Sequence, residues 1–331
     1  MRERVLMMDT QPGAEAIAEP RGKAAEYLWE RRLKWAAEAR KQQKRVYMAR
    51  RATLLLSIVG AILGTLCQQA NGWVTAGQLP ANWAWLVPAS GWASAIALGL
   101  AAFFSREMLT EEGQRRWIES RTAAERYKSL TYLVQVKAPP YDKPNATSSE
   151  LLAEAETLAK LGAPPPITDE EYKKLLQGSV LPPPMSVSDY IPKRVDNQIK
   201  YYDKAASDAS RKLNRGKTLS LVLGGVAVIL GVFGATYGWT AGWVAVISTI
   251  IASISANQYA NRYQYLVVSY QVAAERLRWL KVRWEGSGMG EANTEARNDF
   301  ITKCEQVLAE ENNSWMAEWT KKKNGEQTDT K

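Results

Sequence analysis

The stretch ATLLLSIVGAILGTLCQQANGWVTAGQLPANWAWLVPASGWASAIALGLAAFFS, Ala52 to Ser105, runs for fifty-four residues without one Asp, Glu, Lys or Arg. It is bounded by Arg50-Arg51 and by Arg106. A helix that crosses a hydrocarbon core of about 30 Å needs about 20 residues, so this run is too long for one crossing and fits two helices with a turn. A second uncharged run, Thr218 to Asn261, lies between Lys217 and Arg262. The pattern predicts an all-α integral membrane protein with four transmembrane helices in two hairpins.

Composition supports this once the chain is read in blocks. The 331 residues carry 43 basic and 34 acidic side chains, a formal charge of +9, no histidine, and a mean hydropathy of −0.31 that averages two greasy blocks with charged flanks. The positive charge sits beside the uncharged runs, where membrane flanks explain it better than a nucleic-acid footprint, and no nucleic-acid partner is expected. Cys67 and Cys304 give neither a disulfide framework nor a metal cluster. Residues 1–23 are read as a flexible terminus without the apolar core and cleavage site of a signal peptide, which makes the first apolar helix an uncleaved anchor.

Residues 24–136 form the first two-transmembrane unit, with membrane helices at about 52–69 and 86–105. Its lead-in to Arg50 is rich in helix formers and carries a thin apolar stripe of Leu28, Trp35, Ala39 and Val46. If continuous with the first membrane helix, it makes a helix of more than forty residues at about 1.5 Å each, long enough for a cytoplasmic stalk. Gly60 and Gly64 give a small-xxx-small spacing suited to helix packing. Beyond Arg106 a charged helix continues to Val136.

Residues 137–190 read as a Pro-rich linker, with Pro164-Pro165-Pro166 and Pro182-Pro183-Pro184 around short helices. Thr147–Glu150 and Thr168–Glu171 have the form of capping boxes, and the two pieces are expected as a surface clasp. Residues 191–320 form the second unit, with membrane helices at about 218–237 and 242–261; Gly234 and Gly238 are a second packing pair. Val195, Ile199, Tyr202, Ala206, Ala209 and Leu213 alternate spacings of four and three, and after Asn261 the helix is expected to continue through Tyr263, Leu266, Tyr270, Leu277 and Trp284 with the same stalk-packing period. Residues 321–331 read as a disordered tail.

Both hairpin turns are uncharged and the opposite flanks are basic, so the positive-inside rule places both termini in the cytoplasm. The halves also share a motif: Ala123-Ala124-Glu125-Arg126-Tyr127-Lys128 matches Ala273-Ala274-Glu275-Arg276-Leu277-Arg278 at an offset of 150. Each unit crosses twice, so the repeats have parallel topology, unlike the inverted repeats of many transporters. Glu125, Arg126, Glu275 and Arg276 are candidates for ion pairs between stalks.

This order of features resembles the bacterial SLATT superfamily, the SMODS- and SLOG-associating two-transmembrane effectors. The likeness rests on Lys41–Arg51, Ala52–Ser105 and Ala123–Tyr127, and in the second copy on Arg211–Lys217, Thr218–Asn261 and Ala273–Leu277. The resemblance implies a pore or membrane-perturbing effector of the bacterial inner membrane in nucleotide-signalled conflict and defence systems, here in tandem duplication.

Three function classes compete. An oligomeric channel or pore-forming effector would line its path with Thr249, Ser253 and Asn257, spaced by four on the most polar membrane helix, and would discriminate ions poorly because no ionisable residue lies in either run. A membrane-anchored scaffold would instead expose aromatic residues among Trp117, Tyr127, Trp279 and Trp284 to recruit a cytoplasmic protein. An enzyme is disfavoured by the absence of histidine and of a phosphate-binding glycine loop, and no cofactor is expected. The expected partners are the lipid bilayer and further copies of the chain.

Overall fold

The computed structural model describes residues 12–78, 80–108, 110–143, 147–160, 162–288 and 290–320. Residues 1–11 of the expected flexible terminus and the expected disordered tail lie outside them. All regular structure among the described residues is helical: α1 (Pro12–Thr75), α2 (Leu86–Phe103), α3 (Glu111–Val136), α4 (Ser148–Ala159), α5 (Asp169–Gly178), α6 (Val187–Tyr190), α7 (Asn197–Gly234), α8 (Ala241–Ala260), α9 (Tyr263–Gly286) and α10 (Thr294–Thr320). Among the described residues four stretches are long and apolar enough to cross a membrane: Arg21–Thr75, Leu86–Glu107, Val187–Gly234 and Gly238–Gly286.

Several boundaries differ from the sequence reading. Residues 12–23 belong to α1 and not to a flexible terminus. At its other end α1 runs past Gln69, through Asn71 and Gly72, to Thr75, whose hydroxyl donates to the Asn71 and Gly72 carbonyls. The third apolar helix stops at Gly234 instead of Tyr237, and Gly238–Thr240 is a 3-10 turn. The helix expected to continue through Asn261 is broken there: Arg262 has φ 50°, in the left-handed region that a residue with a Cβ adopts at a cost of about 1–2 kcal/mol, and α9 starts afresh at Tyr263.

The chain forms two compact units. The first collects residues up to Arg40, then Ile118–Lys200 and Ala273 onward. Its core joins Ala24, Ala25, Leu28 and Trp35 of α1 to Ala123, Tyr127, Leu130 and Val134 of α3, and to Leu151, Ala155 and Leu158 of α4. The stripe on α1 is therefore thicker than expected, since Trp29 and Leu33 are buried as well. Each such aliphatic or aromatic side chain contributes about 1.5–3 kcal/mol by leaving water. The expected linker is part of this unit: Arg21 donates to the Tyr141 carbonyl at 2.8 Å, Trp29 Nε1 to the Ser179 carbonyl at 3.1 Å, and the Met185 amide to the Gln135 carbonyl at 3.1 Å. Thr147 and Thr168 close full capping boxes with Glu150 and Glu171, which start α4 and α5.

The second unit holds Lys41–Trp117 and Tyr201–Val272. Within it α1 and α2 run antiparallel, with Ser94 Oγ donating to the Gly60 carbonyl at 2.8 Å and Cys67 Sγ to the Val87 carbonyl at 3.2 Å. Helices α7 and α8 form a like pair through Gln258 Nε2 and the Leu213 carbonyl at 3.2 Å. Helix α8 also lies antiparallel against α1, tied by Arg50 Nη1 to Asn261 Oδ1 at 3.2 Å near one end and by Gln69 Nε2 to the Trp239 carbonyl at 2.6 Å near the other. Tyr202 stacks on Tyr270, with ring centroids 5.5 Å apart.

Candidate functional site

The expected polar face of α8 is only partly free. Thr249 is exposed, and its hydroxyl donates back to the Ala245 carbonyl at 2.9 Å, as Ser248 does to Val244. That bond satisfies the hydroxyl within its own helix. Ser253 and Asn257 are half-buried. Asn257 is engaged at the helix end, where Asn261 Nδ2 donates to its backbone oxygen at 2.8 Å and to its Oδ1 at 3.0 Å. The residues that tie α8 to α1, namely Arg50, Gln69 and Asn261, were not singled out from the sequence. The available signal was polar side chains at the edges of uncharged runs.

The packing glycines divide. A Cβ at Gly60 would meet the Leu98 side chain at 2.7 Å, and one at Gly64 would meet Ser94 Oγ at 3.2 Å, so both allow the close approach of α2. Gly234 faces Thr240 and Ala241, whereas Gly238 sits in the 3-10 turn with nothing within 4 Å of a Cβ. The Gly234–Gly238 spacing therefore does not lie along one helix, because α7 ends at the first of the two.

Along α9, Leu266, Tyr270 and Leu277 are buried; Tyr263 is half-buried beneath the Lys212 ammonium, and Trp284 stacks on Phe300 at 5.2 Å. Of the aromatic residues that separate pore from scaffold, Trp117 and Tyr127 are buried and Trp279 is 57% exposed. The repeated Glu-Arg motif does not pair one copy with the other; each copy makes the same kind of contact. Glu125 lies 3.9 Å from Lys128 and Glu275 3.2 Å from Arg278, each within its own helix, while Arg276 reaches across to Glu310 of α10 and Arg126 to Asn313.

The most buried charges are elsewhere, in the first unit. A π-helical turn, Ile191–Asp196, carries Arg194 inward, where it binds Glu305 of α10 in a fork, Nε to Oε1 at 2.9 Å and Nη2 to Oε2 at 2.8 Å. Ser129 Oγ donates to Oε2 at 2.6 Å and Tyr190 Oη to Oε1 at 2.8 Å, completing the acceptor capacity of the carboxylate. The guanidinium also lies 4.8 Å from the centre of the Tyr132 ring. Burial pushes the Glu305 carboxyl up, but Arg194 and the two hydroxyl donors, Ser129 and Tyr190, outweigh it and hold the group below its usual value. Burial and the Glu305 charge push Tyr190 well up, so it stays a donor. Burial raises the neighbouring Cys304 thiol as well, which keeps it inert. Nothing in the linear sequence joined Arg194 to Glu305; a π turn shifts the register that a helical reading assumes.

With this geometry in hand, two family models match. Residues 190–315 match SMODS and SLOG-associating 2TM effector domain 1. That stretch of the second half is similar to a SLATT domain. Residues 31–149 match a separate family of unknown function, DUF4231. No curated protein and no solved structure matches. The SLATT match takes in Tyr190, Arg194 and Glu305 together with α7 and α8, while Ser129 lies in the first-half match, so the buried network draws on both. Among the described residues no group of three or more His, Cys, Asp or Glu could hold a metal.

Proposed function

We propose that this membrane-associated effector assembles into a channel or pore, with α1 and α2 as one transmembrane hairpin, α7 and α8 as the other, and both termini in the cytoplasm. The observation that carries the reading is the surface of α7: no residue in its most apolar stretch is buried, although it is long and apolar enough to span a bilayer. Such a surface needs lipid or another subunit. Bare, uncharged helix interiors supply no charged filter, so the path discriminates ions weakly. The polar face of α8 offers Thr249, Ser253 and Asn257 as its lining. Current across a planar bilayer holding the purified protein tests this. The reading requires conductance that drops at least tenfold when all three residues are replaced by Leu; a silent bilayer under every condition, with assembled protein present, overturns it.

A second reading, a membrane-anchored scaffold, is favoured by Trp279 and Val282, both exposed on α9 in the part that belongs to the first unit. Its mark would be a cytoplasmic protein whose retention is lost on Trp279→Ala while bilayer current is unchanged.

A further inference from the structure

The contact between the two antiparallel pairs is made by the first helix of one, α1, and the second helix of the other, α8. Gly242 of α8 sits against Thr65 and Gln69 of α1, where a Cβ would come within 3.2 Å of Gln69 Nε2. The pairs occupy corresponding places in the two halves of the chain, α1 with α7 and α2 with α8. Repeating the operation that relates them therefore sets an α7 against the α2 of the next pair. If the operation were a closed two-fold, that α2 would belong to the same chain and α7 would be covered; no residue in the most apolar stretch of α7 is buried. An operation that does not close within one chain leaves two unlike half-interfaces for further copies to occupy.

The two exposed faces fit each other in register. On α2, Trp92, Ile96 and Gly99 share one face; on α7, Gly225, Val228 and Val232 share another. Trp92 and Ile96, Val228 and Val232 are all well over half exposed, and a Cβ at Gly99 or Gly225 would meet nothing within 4 Å. Gly99 lies seven residues from Arg106 and Gly225 eight from Lys217, so measured from the basic flanks the two glycines sit at one depth. With the helices antiparallel, Ile96 then falls opposite Val228 and Trp92 opposite Val232. Two facing glycines allow the backbones to approach as small residues do between membrane helices.

We propose that chains associate head to tail, with the α2 face of one copy packed against the α7 face of the next. The proposal rests on the membrane-oligomer reading above. It is tested in full-length protein carrying Cys67→Ala and Cys304→Ala, to which Ile96→Cys or Val228→Cys is added, in native membranes under mild oxidation. Co-expressed single variants should give a crosslinked dimer at least fivefold above either variant alone, and the double variant should give a ladder ending at the assembled size. Gly225→Leu should reduce the subunit number found by mass measurement in nanodiscs. Crosslinking of Ile96→Cys with itself, or closure of the double variant within one chain, overturns the head-to-tail contact. So does an assembled mass without any crosslink, which leaves the oligomer reading intact; a monomeric mass for the unmodified chain, with lipid alone on these faces, overturns both.

Discussion

Arg194 and Glu305 face each other with side chains that are 2% and 6% exposed, so neither charge can fall back on water. Removing one partner of such a pair strands the other, and Glu305→Ala is expected to cost about 3–5 kcal/mol. Replacing both, Arg194→Met with Glu305→Leu, is expected to recover most of that, and thermal unfolding in detergent checks the contrast. The pair also sets a pH dependence. Glu305 titrates below the ordinary value of 4.5 in the folded chain, so its contribution is complete above that value and lost as pH falls through the lower, folded one. Unfolding temperature should therefore drop on acidification below about pH 4.5, and Glu305→Gln should flatten that drop while lowering the plateau. A second residue-level expectation concerns Gly60, where Leu98 leaves no room for a Cβ. Gly60→Val should destabilise by about 1–3 kcal/mol through overpacking, whereas Gly72→Ala, with open space around it, should not.

At the scale of elements, the break between α8 and α9 is held by Asn261, buried and bonded to Asn257 on its own helix and to Arg50 on α1. Asn261→Ala removes these side-chain bonds and should cost about 1–3 kcal/mol. The capping boxes give a more local expectation: Thr147→Ala should weaken α4 by about 1 kcal/mol, seen as faster amide exchange confined to Ser148–Ala159. What was legible in the sequence follows from how each element is made. The period of Val195, Ile199, Tyr202 and Ala206 survives into the structure, where all four are buried. The capping boxes were equally legible, being local hydrogen bonds within four residues. The break at Arg262 was not, because no Gly or Pro marks it and the apolar period resumes at Tyr263. Nor was the core role of α4, since Leu151, Ala155 and Leu158 fill a space made by helices far away in the chain.

For the whole molecule, orientation is the property to test first. A cysteine placed at Gln78, in the uncharged connection, should react with an impermeant reagent from outside the cell, while one at Lys174 of α5 should be protected until the membrane is opened. The reverse pattern would invert the proposed topology, and labelling of both from one side would remove one crossing.

The segment between the two matched domains bears on something other than stability. Arg21 and Trp29 near the start of the chain bond to the backbones of Tyr141 and Ser179, and residues up to Arg40, Ile118–Lys200 and Ala273 onward share one compact unit. The halves are thus interleaved in one fold and not tethered side by side. A gene split within the Pro164–Pro166 run should yield two polypeptides that copurify when made together and are degraded when made alone. The one-to-one ratio of the two domains is therefore written into the gene, where no imbalance of expression can disturb it.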